Sequence, residues 1–155
     1  MTDAIRPKTI VKMRVEGDSK SHARTDVSVR GLTSIIDEPL ERDGTNLGMT
    51  PTETFAAALI GCTNVIGHRI AHKNGITFES MRIRLEAEFD RRGVSLAEEV
   101  AVPFPSMTLF VDVTTVADDT QIAQLQQELA MYCPIAKVIR MSGTELKEVW
   151  TVTRP

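Results

Sequence analysis

Two cysteines, Cys62 and Cys133, are the only ones in the chain, and they stand in unlike settings. Cys62 lies in the small-residue, apolar stretch FAAALIGCTNVIG, and Cys133 in MYCPIAKVI, directly before Pro134. A free cysteine in an apolar helix is most often a small buried hydrophobe. To act as a nucleophile it needs a nearby cation or hydrogen-bond donors, because a dry apolar pocket disfavours the thiolate. Cys133 is placed differently. Proline is favoured in the first turn of a helix, so the Cys133 sulfur is expected near unpaired backbone N–H groups, a setting that favours thiolate. The plain alternative is an N-cap with modest hydrogen bonding. In an intracellular protein such a pair suggests thiol redox chemistry more readily than a structural staple.

Other reactive side chains carry less. His68 and His72 share a helix face, but HRIAH lacks the glutamate of a zinc-protease motif and no third ligand is evident. Their place near a helix C-terminus accounts for them. Two cysteines fit no four-ligand zinc spacing, so no metal is expected. Glu53 precedes Cys62 by nine residues, which puts it on the opposite helix face; a capping role is the simpler account. Nothing matches a phosphate loop, a serine triad or a dinucleotide fingerprint.

The elements that must position the thiols follow from the patterning. The 155 residues suit one domain, 1–155, with a sizeable core. A hydrophobic fraction of 42% and a charge of −3 read as a globular protein without the basic footprint of nucleic-acid binding. No apolar run is long enough to span a membrane, and the N-terminus lacks a signal-peptide core, so the cytoplasm is the expected compartment. Strands are expected at residues 7–16 and 21–30, joined by a Gly-Asp-Ser turn, with a third from Leu32 to Asp37 and a punctuated loop over 38–50. Thr50, Pro51 and Glu53 start a helix that Asn74-Gly75 ends near Lys73. Its first half is apolar on every side, so it should be buried all round, which makes a dimer plausible. Strands over 79–90 and 106–116 follow, then a helix from Asp118 or Asp119 to Tyr132, a helix from Pro134 to Met141, and a strand from Glu145 to Thr153. Runs of antiparallel-type strands argue for α+β.

The segment IIDEPLERDGTNLGMTPTETFAAALIGCTNVIGHRIAHKNGI, together with MYCPIAKVI, resembles the OsmC/Ohr family of osmotically induced and organic-hydroperoxide-resistance proteins. The features carrying it are Asp37-Glu38-Pro39, Gly44 to Gly48, Pro51, Ala56 to Ile60, Cys62, and Cys133-Pro134. The resemblance implies an OsmC-like fold of curved antiparallel sheets around a long buried central helix, in an intertwined homodimer with sites at the interface. It implies a thiol peroxidase of oxidative-stress defence, with Cys62 peroxidatic and Cys133 resolving through a disulfide. No bound cofactor is implied; an external dithiol, such as a lipoyl-type one, would reset the pair. An apolar lining would favour alkyl and lipid hydroperoxides over hydrogen peroxide, by about 0.8 kcal/mol per buried methylene.

Two departures matter. Well-studied members carry a catalytic glutamate just after the helix-start proline, where this chain has Thr52. Glu53 matches instead a branch with proline-x-glutamate. The arginine that stabilises the thiolate also varies in position within the family. Arg42 matches the OsmC spacing and Arg30 the Ohr pattern, with Arg24 behind them. Thr52 is the best support for a rival reading, a non-catalytic dimer with inert thiols that binds a small apolar ligand. A redox sensor using the same pair without turnover is a third.

Overall fold

Residues 9–155 are described by the computed structural model of the chain. The chain divides into two compact units, Met1–Thr54 and Phe55–Pro155.

The first unit holds an antiparallel sheet in the order β1 (Glu16–Ser19), β2 (Thr25–Val29), β3 (Leu32–Ile36). The strand expected over 7–16 is not formed in residues 9–15, and residues 7 and 8 lie outside the described ones. Gly17, Asp18 and Ser19 belong to β1 rather than to a turn. The turn comes later because the Ser21 hydroxyl accepts from the backbone N–H groups of Ala23 (3.2 Å) and Arg24 (3.0 Å), a local bond that competes with strand pairing.

The loop after β3 is pinned by one carboxylate. Asp37 is fully buried and accepts from the N–H groups of Glu38 (2.9 Å), Thr45 (3.1 Å) and Leu47 (3.1 Å) and from the Thr45 hydroxyl. The Thr45 hydroxyl first, and then these amides, hold its carboxyl below the usual carboxylate range. Gly44 is required by close approach: a Cβ there would sit 1.7 Å from the Glu38 carbonyl oxygen.

Helix α1 runs Pro51–Lys73, as expected, and opens on a closed capping box. The Glu53 N–H donates to the Thr50 hydroxyl at 3.2 Å, and the Glu53 carboxylate accepts from the Thr50 N–H at 2.8 Å. In the second unit, β4 (Ser80–Ala87), β5 (Ser106–Thr114) and β6 (Glu145–Thr153) form a sheet in that order. The β4–β5 pair is antiparallel, but β5 and β6 run parallel. The parallel pair follows from the connection between them, helices α2 (Asp119–Tyr132) and α3 (Pro134–Met141), which carries the chain back before it re-enters the sheet. Asp118 caps α2 in a reciprocal box with Gln121.

The core lies on one face of this sheet. Alternate residues of β5, Met107, Leu109, Val111 and Val113, are buried against Leu59 and Ile70 of α1, Ile122, Leu125 and Leu129 of α2, and Ile139 of α3. Each such side chain stabilises by about 1.5–3 kcal/mol. One chain covers only one side of α1: Leu59, Thr63, Gly67, Ile70 and Ala71 are buried, whereas Phe55 and Val65 are 38% and 47% exposed. Burial all round the helix is therefore not achieved within a single chain.

Candidate functional site

Cys62 sits mid-α1 at the margin between its buried and open flanks, and is half-buried against the core. Cys133 is fully buried and is the single residue between α2 and α3. Its N–H closes α2 on the Leu129 carbonyl at 2.9 Å, and Pro134 begins α3 immediately after it. The proline cannot continue α2, so the chain bends there and the sulfur is carried to α1. The Cys133 thiol donates to Cys62 Sγ at 3.2 Å, and both cysteines are reduced.

The electrostatics of Cys133 differ from what its helix-start position suggests. Burial pushes its thiol up to about 11. The N–H groups of Ala136 and Ile135 at the start of α3 pull the other way without prevailing, and its hydrogen bond to Cys62 adds to the upward shift. Cys133 is thus a neutral thiol rather than a thiolate.

The remaining candidates fall elsewhere. Arg24, Arg30 and Arg42 belong to the first unit and the thiols to the second. Arg24 is paired with Asp26 through two hydrogen bonds, at 2.8 and 3.1 Å. Arg42 pairs with Glu38. Arg30 is exposed at the β2–β3 turn, where its φ of 53° lies in the left-handed region. The Thr52 hydroxyl lies 3.2 Å from that of Thr50. His68 hydrogen-bonds to the Asn64 carbonyl at 2.9 Å and meets Phe78 edge-on, which accounts for it without a metal. Among the described residues, no group of three or more His, Cys, Asp or Glu side chains could hold a metal ion. No described helix is long and apolar enough to cross a membrane.

Two features near the thiols were missed in the sequence. Phe55, two helical turns before Cys62, packs on Phe104, with ring centroids 5.4 Å apart, and Phe104 packs on Phe89 at 5.0 Å. On the other side, one turn beyond Cys62, a groove of about 260 Å³ opens between α1 and α2, lined by Ile66, Arg69, Ile70, Lys73, Glu128 and Tyr132. The α1 residues of the groove follow Cys62 at helical spacing, a readable signal; the α2 wall has none.

A sequence model of OsmC-like proteins matches residues 44–148, and the chain belongs to that family. No curated protein matches it in sequence. Among solved structures, an OsmC-like protein from Mycoplasma pneumoniae is similar with a TM-score of 0.78 at 12% identity, over 92% of this chain and 98% of that one. An organic hydroperoxide resistance protein from Legionella pneumophila is similar with a TM-score of 0.65 at 15% identity, over 93% and 99%. One from Elizabethkingia anophelis, with thiocyanate bound, has a TM-score of 0.66 at 14% identity, over 94% and 99%. At these identities the likeness establishes the OsmC-like α+β fold.

Proposed function

We propose that the chain is a cysteine-based peroxidase of organic hydroperoxides, acting in peroxide defence as a homodimer, with Cys62 the attacking thiolate and Cys133 the resolving thiol. The observation that carries this reading is the 3.2 Å approach of the two reduced sulfurs. Closing by about 1 Å would make a disulfide bond. The names of the Legionella and Elizabethkingia neighbours, both organic hydroperoxide resistance proteins, support the substrate class.

In the first step the Cys62 thiolate attacks the distal peroxide oxygen. An S–O bond forms, the O–O bond breaks, and the alkoxide leaves and takes a proton to become the alcohol. Cys62 becomes a sulfenic acid. The Cys133 sulfur then attacks Cys62 Sγ; the S–S bond forms and hydroxide departs as water with the Cys133 proton. The burial that keeps Cys133 protonated suits this role, since the same thiol steadies Cys62 as a donor and carries the proton that the leaving hydroxide needs. An external dithiol, of lipoyl or thioredoxin type, returns two electrons through a mixed disulfide. A guanidinium beside Cys62 would stabilise its thiolate and the departing alkoxide. Arg30 and Arg42 are the candidates for it, ahead of Arg24; Arg42 would have to exchange its Glu38 partner.

The homodimer rests on unsatisfied apolar surface. The first unit contributes no buried hydrophobic side chain among its described residues, and Leu32, Leu40, Leu47 and Met49 are exposed. The open flank of α1 presents Ala58, Gly61 and Val65. A second copy is the cover the family fold implies, and sedimentation as a single chain at micromolar concentration would remove it.

The central test is titration with cumene hydroperoxide. One equivalent is expected to remove both free thiols, and retention of both ends the peroxidase reading. Cys62→Ser is expected to lower turnover by about a thousandfold or more. Cys133→Ser should leave a sulfenic acid that a trapping reagent captures. The rival reading, a non-catalytic dimer holding a small apolar ligand, is favoured by Thr52, whose hydroxyl faces Thr50 where a catalytic acid is expected. The same titration separates the two.

A further inference from the structure

The groove beyond Cys62 is not an undifferentiated apolar cleft, because its charges are unequally used. Lys73 Nζ donates to the Glu128 carboxylate at 3.0 Å. Glu128 also accepts from Gln124 at 2.9 Å and Asn74 at 3.3 Å, so its oxygens are occupied and its charge is matched by Lys73. Arg69 is different. Its guanidinium makes no hydrogen bond or ion pair among the described residues, although it lines the same groove. Two cations and one anion therefore leave the groove with one surplus positive charge, located on the side chain that has no partner. The rest of the lining is apolar, Ile66, Ile70 and the ring of Tyr132, and Ile66 lies between Arg69 and Cys62 along α1.

Position along the helix adds a length. Cys62, Ile66 and Arg69 follow one another on one face of α1, and seven residues correspond to about 10 Å along the helix axis. Tyr132 precedes Cys133, so the α2 wall also leads to the sulfur pair. An occupant that satisfies Arg69 and covers the half-buried Ile66 must carry an anion at one end and an apolar chain running toward Cys62. A carboxylate suits a planar guanidinium through two parallel hydrogen bonds.

We infer that Arg69, with Ile66, Ile70 and Tyr132, forms a binding site for an amphipathic monocarboxylate, the carboxylate on Arg69 and the chain directed at Cys62. Its bearing on catalysis rests on the peroxidase reading: Arg69 becomes a specificity-determining residue that selects hydroperoxides bearing a remote carboxylate. The site itself does not depend on turnover, which allows the two to be tested apart.

The probe is octanoate, with 1-octanol as the neutral chain of equal length, titrated calorimetrically into the full Cys62→Ser chain, which cannot turn over. Octanoate is expected to bind, and Arg69→Gln to raise its Kd by about tenfold or more while changing that of octanol by less than about twofold. Arg69→Lys, which keeps the charge but not the planar fork, should fall between. Absence of octanoate binding, or an equal loss for acid and alcohol in Arg69→Gln, overturns the site. In the chain with Cys62 intact, Arg69→Gln should lower the kcat/KM ratio of a carboxylated over a neutral hydroperoxide. An unchanged ratio beside intact octanoate binding overturns the specificity role, and a chain that binds octanoate but consumes no hydroperoxide fails as a peroxidase while the site stands.

Discussion

Every buried hydrophobic side chain among the described residues lies in Phe55–Pro155, whereas the buried residues of Met1–Thr54 are Asp37 and Thr50. The second unit is held by apolar contact spread over α1, α2 and α3 around β5. The first is held by a hairpin ladder and by a loop folded around a single carboxylate. Spread apolar packing degrades gradually, because each contact is a small share of the total. A buried polar hub does not, because its loss leaves several N–H groups without a partner at once. Cys62 and Cys133 belong to the apolar-packed unit, where their 3.2 Å contact is held by the surrounding core.

The largest expected effect that would break this contrast is at Gly44. With a Cβ 1.7 Å from the Glu38 carbonyl, Gly44→Ala forces the loop off its hub. It should destabilise the first unit by about 3 kcal/mol, read as lost hydrogen-exchange protection in residues 37–50 with protection on β5 retained. Loss spread evenly over both units would show that they unfold together, and the contrast would dissolve.

In the other unit, the buried Cys133 thiol should react slowly. A thiol at about 11 rather than 9.0 carries roughly a hundredfold less thiolate at pH 8. Iodoacetamide should therefore modify Cys62 well before Cys133, followed by peptide mass spectrometry in the reduced protein. Equal labelling would mean that Cys133 is neither shielded nor neutral.

How much of this was legible in the sequence follows the same division. Local signals marked α1 at both ends: the Thr50–Glu53 box closes as expected, and the helix ends before Asn74-Gly75. The alternation over residues 79–90, the Asp118 cap of α2 and Pro134 at the start of α3 were likewise local. What failed was local patterning without partners. The stretch Ile10 to Val15 reads as strand by composition, yet Ile10, Val11, Met13 and Val15 are exposed and unpaired in a ladder. The parallel β5–β6 pairing joins strands separated by two helices, which no local period encodes. At the site, the Cys-Pro step told where Cys133 stands but not how dry it is, so burial outweighed the helix-start effect. The groove with Arg69 stayed hidden because its second wall comes from another helix.

Acid offers a third test, confined to the first unit. The Asp37 carboxyl titrates below its ordinary value in the folded chain, so its ionised form favours folding. That contribution is complete above the unfolded value of about 3.9 and is lost as pH falls through the lower folded value. Below about pH 4 the loop over residues 37–50 should lose exchange protection before β5 does. Asp37→Asn, with one acceptor oxygen fewer and no charge, should weaken the loop at neutral pH and flatten its acid dependence. A wild-type loop that outlasts β5 in acid would contradict the polar-hub account.

The smallest expected effect compares glycine with glycine across the two units. Gly75 follows α1 at a φ of +69°, and a Cβ there would meet nothing within 4 Å. Gly75→Ala therefore meets no clash and incurs only the left-handed backbone penalty, about 1 kcal/mol. Gly75→Asn, a residue that tolerates this region, should cost less than alanine. Denaturant midpoints of the two Gly75 variants beside Gly44→Ala separate conformational strain from steric exclusion. If Gly75→Ala matched Gly44→Ala in cost, the space around Gly75 would have to be filled in solution, and a second copy of the chain lying over the end of α1 would be the first structure to look for.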